Sequence, residues 1–452
     1  MTGAVTLVVL LSLSYTMAVF LASRRKRPGL LPAPDDLYFV FVLPCLNEEV
    51  VIGRTLDSLL ALPSTNFAVM VIDDGSDDRT AEIVRSYDPE RVWLMQRTAP
   101  NARQGKGVAL NAAYRWLRDS GVLGDRRSQD VIVAILDADG RIEPNAMFEV
   151  GHYFRNPKAG AVQVGVRMFN KDEGLLPRLQ DFEFVTFTEI FQRGRQRMGS
   201  VGLGGNGQFT RLSALRALGN DPWTDCLTED LDLGLRLLAL GWENDFCPTT
   251  HVSQQAVTSF RRLVTQRSRW FQGHLQCWKR IPNVLFSDLP DRTALDLLYH
   301  LLSPGLVLAM SLPMAAFMVT LTAATLSSPS GVWHALSAHG GTLLVLWYLL
   351  SFGLAPFYGF SYWTRTKELN LIQSIGVAHL YNLYSYLWFA AGWRATWRIV
   401  TKKKGWAKTA RTPEKVDAAP RNGTAEALAA VPVDENPDSA LSGAVGPVAE
   451  VA

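Results

Sequence analysis

Apolar positions along this chain change their spacing several times, and those changes divide it. Residues 3–22 carry no charge and are just long enough to cross a bilayer, which takes about 20 residues. From Tyr38 onward, short unbroken apolar runs alternate with helical spacing. Tyr38-Phe-Val-Phe-Val-Leu43 reads as a buried strand ending at Pro44. Asn47-Glu48-Glu49 then opens a helix whose apolar positions Val51, Leu56, Leu59 and Leu60 share one face. Phe67–Ile72 and Val131–Leu136 are strands of the same kind, and a helix through Thr80, Ile83 and Val84 follows the first of them. From Leu297 to Thr364 there is no Asp, Glu, Lys or Arg, and breaks at Ser327–Gly331 and His339–Gly341 predict spans near 303–326 and 341–363. A further stretch, 372–395, is interrupted by Gln373, His379, Asn382 and several tyrosines, so it either crosses or lies at the interface.

Strand–helix alternation of this type implies an α/β fold with a mostly parallel sheet covered on both faces. Ligands of such sheets bind off the carboxyl ends of the strands. The expected organisation is a transmembrane anchor with a basic flank (1–27), a cytosolic domain (38–255) and amphipathic interfacial helices (256–300). A membrane region of two or three spans (301–400) and a disordered tail (412–452) rich in Ala, Pro, Val, Gly and Glu complete it.

Charge adds an orientation. The net charge of +3 over 452 residues gives no reason to expect nucleic acid as a partner. The basic residues cluster instead at Arg24–Arg27 and Lys402–Lys404, beside apolar segments, where they suit the cytosolic face and anionic membrane lipids. A secretory signal would carry its charge in front of the apolar run. A multi-pass plasma-membrane protein with a cytosolic middle is the expectation, with three or four spans in all. A third crossing after residue 297 would place Arg394, Arg398 and the Lys402 cluster outside, against the charge rule. The four cysteines make no metal-ligand spacing and read as reduced, buried thiols.

The chemistry lies in short motifs. Asp137-x-Asp139 follows a buried strand, where alternate side chains point the same way. Two such carboxylates suit Mg²⁺ or Mn²⁺ shared with phosphate oxygens, which would neutralise a departing diphosphate. Asp73-Asp74 can cap the next helix or accept from N–H and O–H groups of a nucleotide. Lys106, between Gly105 and Gly107, is a point charge for phosphate on a flexible turn. Thr228-Glu229-Asp230 opens an apolar helix; its acids suit the helix N-terminus, or Asp230 acts as general base toward an acceptor hydroxyl. Direct attack with one base inverts the anomeric centre. Gln266, Arg269 and Trp270 share one face of an amphipathic helix, with a planar fork for diphosphate and a flat ring for a sugar. Gly204-Gly-Asn206-Gly-Gln208-Phe209 is a glycine-rich turn between helical stretches, either an acceptor loop or a plain turn. The sequence holds no dinucleotide fingerprint and no phosphate-binding loop of the ATPase type.

Pro44-x-x-Asn47-Glu48, Asp73-Asp74-Gly75-Ser76, Gly105-Lys106-Gly107, Asp137-x-Asp139, Thr228-Glu229-Asp230 and Gln266-x-x-Arg269-Trp270, in that order, resemble the membrane-bound family 2 glycosyltransferases. That group includes cellulose, hyaluronan, chitin and poly-N-acetylglucosamine synthases. The resemblance implies a nucleotide-diphospho-sugar transferase (GT-A-like) domain inserted between transmembrane helices, a UDP-sugar donor (glucose or N-acetylglucosamine), and Mg²⁺ or Mn²⁺. It carries nucleotide-sugar binding onto Glu48, Asp73, Asp74, Lys106 and Asp137, and metal binding onto Asp137 and Asp139. Asp230 becomes the base beside Glu229. Gln266, Arg269 and Trp270, with Asn206 and Gln208, become the clamp on diphosphate and acceptor. The first expectation is a growing β-linked polysaccharide as acceptor, which would bring export partner subunits with it. The alternative is one sugar added to a lipid such as diacylglycerol. It is favoured by the small membrane portion and by Gly205–Phe209 with Gln180-Asp181-Phe182-Glu183, which are similar to bacterial glucosyldiacylglycerol synthases.

Overall fold

The computed structural model describes residues 2–24 and 36–403, which fall in one compact unit. The expected tail at 412–452 lies outside the described residues, as do Arg25–Arg27 and Lys404 of the two basic clusters. Eight strands form one sheet in the order β3-β2-β1-β4-β7-β6-β8-β5. They are β1 (Tyr38–Cys45), β2 (Phe67–Asp73), β3 (Val92–Gln96), β4 (Val131–Ile135), β5 (Arg141–Ile142), β6 (Ala159–Met168), β7 (Gln208–Arg211) and β8 (Glu243–Gln254). From β3 to β4 every pairing is parallel, as expected from the continuous apolar runs. Beyond β4 the expectation of a mostly parallel sheet fails. β7 runs antiparallel to both β4 and β6, and β5 antiparallel to β8, while β6 and β8 are parallel. The reversal comes at Gln208–Arg211, a strand too short and too polar to show itself as a periodic run.

Side chains along β1 alternate between two cores. Phe39, Phe41 and Leu43 join Ile52, Leu56 and Leu59 on one face, while Val40 and Val42 join Ala109, Leu110 and Ala113 on the other. Pro44 does not end the strand, as the sequence suggested; it lies within it, opposite Ile72. The β1 amides alternate sides as well, Tyr38 donating to Asp130 beside β4 and Phe39 to Asn66 beside β2. Pro44 shares the side of Tyr38, and there the pairing with β4 has already stopped at Val42. The missing N–H therefore breaks no ladder bond.

Helices α1 (Thr2–Ser23), α2 (Ile52–Leu60), α3 (Thr80–Arg85), α4 (Lys106–Asp119) and α5 (Ala146–Gly151) precede β6. α6 (Leu175–Thr186) continues through a π-helical turn, Phe187–Gln192, into α7 (Arg193–Met198). α8 (Leu212–Ala217) and α9 (Glu229–Ala239) flank the route to β8. Then come α10 (Phe260–Gln276), α11 (Ile281–Leu285), α12 (Asp291–Ser327), α13 (Pro329–Phe352), α14 (Ala355–Thr366), α15 (Leu371–Tyr384) and α16 (Leu387–Val400). α12 runs unbroken through the expected boundary at residue 300. The predicted span 341–363 is divided between α13 and α14, and 372–395 between α15 and α16. Among the described residues one helix, α12, is long and apolar enough to cross a membrane, with shorter apolar stretches at Leu10–Ser23 and Gly340–Leu349. α1 is pinned to the body where Tyr15 donates to Asp296 Oδ1 at 2.6 Å and its ring lies 3.8 Å from that of Tyr299. All four cysteines are free and buried.

Phe209 of β7 is fully buried and meets Phe39 and Phe41 edge-on, so it joins the parallel and mixed halves of the sheet. Phe209→Ala is expected to cost about 3–5 kcal/mol. Melting of the purified protein in detergent measures this, and a loss below about 1 kcal/mol would show that β7 is not an interior strand.

Candidate active site

Where β1 and β4 part, a cavity of about 930 Å³ opens; Pro44, Leu46, Asp137 and Ala138 form part of its wall. Its position beyond the strand ends is the one expected for an α/β sheet. Lys106, the first residue of α4, reaches in with Nζ 2.9 Å from Asp137 Oδ1 and 3.8 Å from Glu229 Oε1. Burial alone would lower its pKa, but Asp137 and Glu229 more than reverse that, and the ammonium is held charged. Asp230, in the first turn of α9, has the opposite problem. Burial, reinforced by the Glu229 carboxylate and opposed by Lys106, pushes its pKa up to about 7. Its Oδ1 accepts from Leu231 N at 2.7 Å. Residue 205 must be glycine here: its φ is +73°, and a Cβ would come within 2.7 Å of Asp230 Oδ2.

Asp137 and Asp139 do not point the same way, as the sequence suggested. β4 ends at Ile135, so the pair sits on a turn in which Gly140 N donates to Asp137 O at 2.8 Å. Asp137 faces Lys106, whereas Asp139 is buried and accepts from Gln255 N at 3.0 Å. Asn206 braces this turn, its Oδ1 accepting from Asp137 N at 3.1 Å and its Nδ2 donating to Gln254 at 2.7 Å. Among the described residues no cluster of three or more His, Cys, Asp or Glu forms a complete metal site. Asp137 is a hard oxygen donor on the cavity wall, Asp139 is a second one buried behind the same turn, and a diphosphate would bring further oxygens. That donor set fits a divalent cation bound together with its substrate.

Other predicted residues divide. Glu48 lines the cavity; Asp73 and Asp74 do not. Asp73 closes its own turn, accepting from Ser76 N at 2.9 Å and from Gln96 Nε2 at 3.1 Å. Asp74 pairs with buried Arg97, and burial raises its pKa. Gln208 corrects the expectation of an acceptor loop running to Phe209. It is the first residue of β7, buried, donating to Thr210 Oγ1 at 2.9 Å, and is not on the cavity wall.

Gln266, Arg269 and Trp270 of α10 line the wall that Asp230 shares. A close contact puts them there. A Cβ on Gly273 would lie 2.5 Å from Thr228 N, so only glycine lets α10 rest on the start of the Thr228-Glu229-Asp230 segment. Cys226 Sγ donates to Gly273 O at 3.4 Å and lies 3.6 Å from Cys277 Sγ, although the two thiols are distant in sequence. Arg267 lies on the same helix, which the sequence presents as amphipathic. It is fully buried, stacked 4.1 Å from the Trp270 ring and paired with Glu183. Glu183 also accepts from Tyr384 at 3.0 Å and Trp388 at 3.1 Å, tying α6, α10, α15 and α16 together behind the tryptophan. The sequence signal for this support was the Gln180–Glu183 segment. Gln180 clips both backbone groups of Val257, and Asp181 takes a two-bond fork from Arg167 at 2.9 and 3.1 Å.

A parallel half-sheet ending in acids, extended by an antiparallel strand and roofed by a helix, defines the class of GT-A nucleotide-sugar transferases. The sequence profile described as glycosyltransferase like family 2 matches residues 34–273, and the protein belongs to that family. It is 31% identical over 303 residues to a beta-monoglucosyldiacylglycerol synthase of Trichormus variabilis, a match spanning 64% of this chain and 59% of that protein. It is also 31% identical over 237 residues to a poly-beta-1,6-N-acetyl-D-glucosamine synthase of Staphylococcus epidermidis, covering 52% and 53% of the two. The chain thus spans little more than half the length of these relatives. A mannosyltransferase of Pyrobaculum calidifontis, solved with GDP-Man and Mn²⁺, shares the fold with a TM-score of 0.56 at 19% identity, over 85% of this chain and 97% of that one.

A base must be ionised to accept a proton, so an Asp230 pKa near 7 sets an acid limb. Sugar transfer at saturating substrate is expected to be full well above about pH 7 and to fall tenfold per unit below it. A kcat profile that stays flat down to about pH 5 would remove Asp230 from the proton path.

Proposed function

We propose that the protein transfers a single sugar, glucose or N-acetylglucosamine, from a UDP-sugar to the hydroxyl of a membrane lipid, inverting the anomeric centre. One observation carries this reading: the cavity is continuous from Asp137, Glu229 and Asp230 to Ser303 and Val307 of α12, Tyr358 of α14 and Trp388 of α16. An acceptor in that cavity reaches the carboxylates from the apolar helices. We take α1 and α12 to α16 as the membrane portion and the sheet domain as cytosolic, at the plasma membrane. The first-named polysaccharide reading has support in Trp270, whose ring at the cavity wall suits a sugar acceptor.

In this reading Glu48 and Lys106 meet the sugar and phosphates of the donor, and Asp74, with Asp73 shaping its turn, meets the nucleoside. The acceptor oxygen attacks the anomeric carbon as Asp230 takes its proton. The bond from that carbon to the diphosphate oxygen breaks, and the electron pair leaves on the nucleoside diphosphate. Lys106 and Arg269 face the growing charge on that leaving group. A divalent cation held by Asp137 and Asp139 would supply further neutralisation of the diphosphate. Glu229 acts by raising the basicity of Asp230 and by holding Lys106 charged.

Membranes containing the protein, given labelled UDP-glucose or UDP-N-acetylglucosamine and extracted with chloroform–methanol, are expected to yield an organic-soluble labelled lipid. Label recovered only in insoluble polymer would overturn the lipid reading. Asp230→Asn is expected to lower transfer by at least about a hundredfold while UDP still binds.

A further inference from the structure

Two cysteines meet on the seam between α10 and the segment leading into α9. Cys226 Sγ lies 3.6 Å from Cys277 Sγ, and Thr228 Oγ1 lies 3.6 Å from each of them, so the first residue of Thr228-Glu229-Asp230 rests against both sulfurs. The surroundings of the two thiols differ. Cys226 is on the cavity wall. Cys277 is fully buried and off that wall, in an apolar cluster with Val284, Leu297 and Leu301. A small polar molecule in the cavity therefore meets Cys226 first and Cys277 only through it.

Cys226 is also the better nucleophile. The hydrogen bond from Cys277 pulls its pKa below the ordinary thiol value; burial opposes this, and the amide and hydroxyl of Thr228 reinforce it. The same contact, with burial, pushes the Cys277 thiol up. Disulfides that occur in a reducing cytosol are mostly transient ones that act in catalysis or redox sensing.

We propose that Cys226 and Cys277 form a redox-modification site, in which a hydroperoxide entering by the cavity oxidises the pair to a disulfide and so slows sugar transfer. With hydrogen peroxide, the Cys226 sulfur attacks one oxygen, the O–O bond breaks, and the other oxygen leaves as water with the thiol proton. A sulfenic acid remains on Cys226. The Cys277 sulfur then attacks the Cys226 sulfur, and its proton leaves with the sulfenic oxygen as a second water. Two electrons pass from the sulfurs to the peroxide.

A disulfide holds its sulfurs at about 2.05 Å, so the pair closes by roughly 1.5 Å. The new bond ties the wall carrying Asp230 to the end of the helix carrying Arg269 and Trp270. Both walls face one cavity, and a ligand passing between them needs them to part. Gly273 already packs on Thr228, and Leu227 N donates to Gln276 Oε1 at 2.9 Å, so a covalent tie here leaves the seam little freedom.

The test uses the full-length protein in nanodiscs, reduced, desalted and exposed to hydrogen peroxide. Mass spectrometry of the digest is expected to find Cys226 joined to Cys277. Turnover of labelled UDP-glucose or UDP-N-acetylglucosamine is expected to fall at least about fivefold and to return with dithiothreitol. Cys277→Ala lacks the second thiol, so peroxide is expected to leave a sulfenic acid on Cys226, trapped by dimedone. Cys226→Ala covers a Cys277 variant that fails to fold, and peroxide is expected to leave its turnover unchanged. A link to any other cysteine, no link in the wild type, or a linked protein that keeps full turnover overturns the proposal. Inactivation of Cys226→Ala to the wild-type extent does so too. The link is read without donor or acceptor, so failure of the lipid-acceptor reading would leave it standing.

Discussion

One contact sets the geometry of everything above the sheet: the backbone of α10 at Gly273 rests on the backbone of Thr228 with no room for a methyl group. Asp230 follows Thr228 by two residues, and Trp270 precedes Gly273 by three. Asp230 and Trp270 are thus indexed to each other through two helices rather than through a loop. The Arg267–Glu183 pair, with Tyr384 and Trp388, holds the far side of α10, so the helix is fixed from below and from behind. Truncating one partner of that buried network would strand a charge, which makes it a stringent positioning device.

The second constraint is charge balance. Asp137, Glu229 and Asp230 share a single ammonium, Lys106, which does not offset the burial and the neighbouring Glu229 carboxylate that together raise the Asp230 pKa. A diphosphate entering this cluster would deepen the deficit. Only additional positive charge can make the complex favourable, which is the physical reason to expect a divalent cation and Arg269 at the same place. Donor binding, metal binding and the ionisation of Asp230 are then linked, since each alters the field felt by the other two.

The parallel half of the fold was legible because β1, β2 and β4 are buried on both faces and read as unbroken apolar runs. β7 was not, because four residues cannot display a period. The motif order gave the ingredients of the site but not their orientation. Asp139 looked equivalent to Asp137 and turned out to face Gln255, since the strand ended two residues before the pair began. Arg267 shares its helix with the exposed Arg261 and Arg262, and only tertiary packing against Glu183 sets it apart from them. Gln208 looked like part of a loop because glycines at 204, 205 and 207 hide the start of a strand. Long-range pairing, which local spacing does not encode, decided all of these cases.

The π-helical turn at Phe187–Gln192 bears on which side chains reach the cavity. An α-helix rotates by about 100° per residue, and a π turn carries one residue more than an α turn would. Everything C-terminal to it, Arg195 included, is swung around the helix axis relative to a straight continuation of α6. Which side chain of α7 is turned toward the cavity is therefore set by a length change upstream as well as by the residue's own identity. A one-residue deletion in Phe187–Gln192 would turn a neighbouring side chain of α7 toward the cavity.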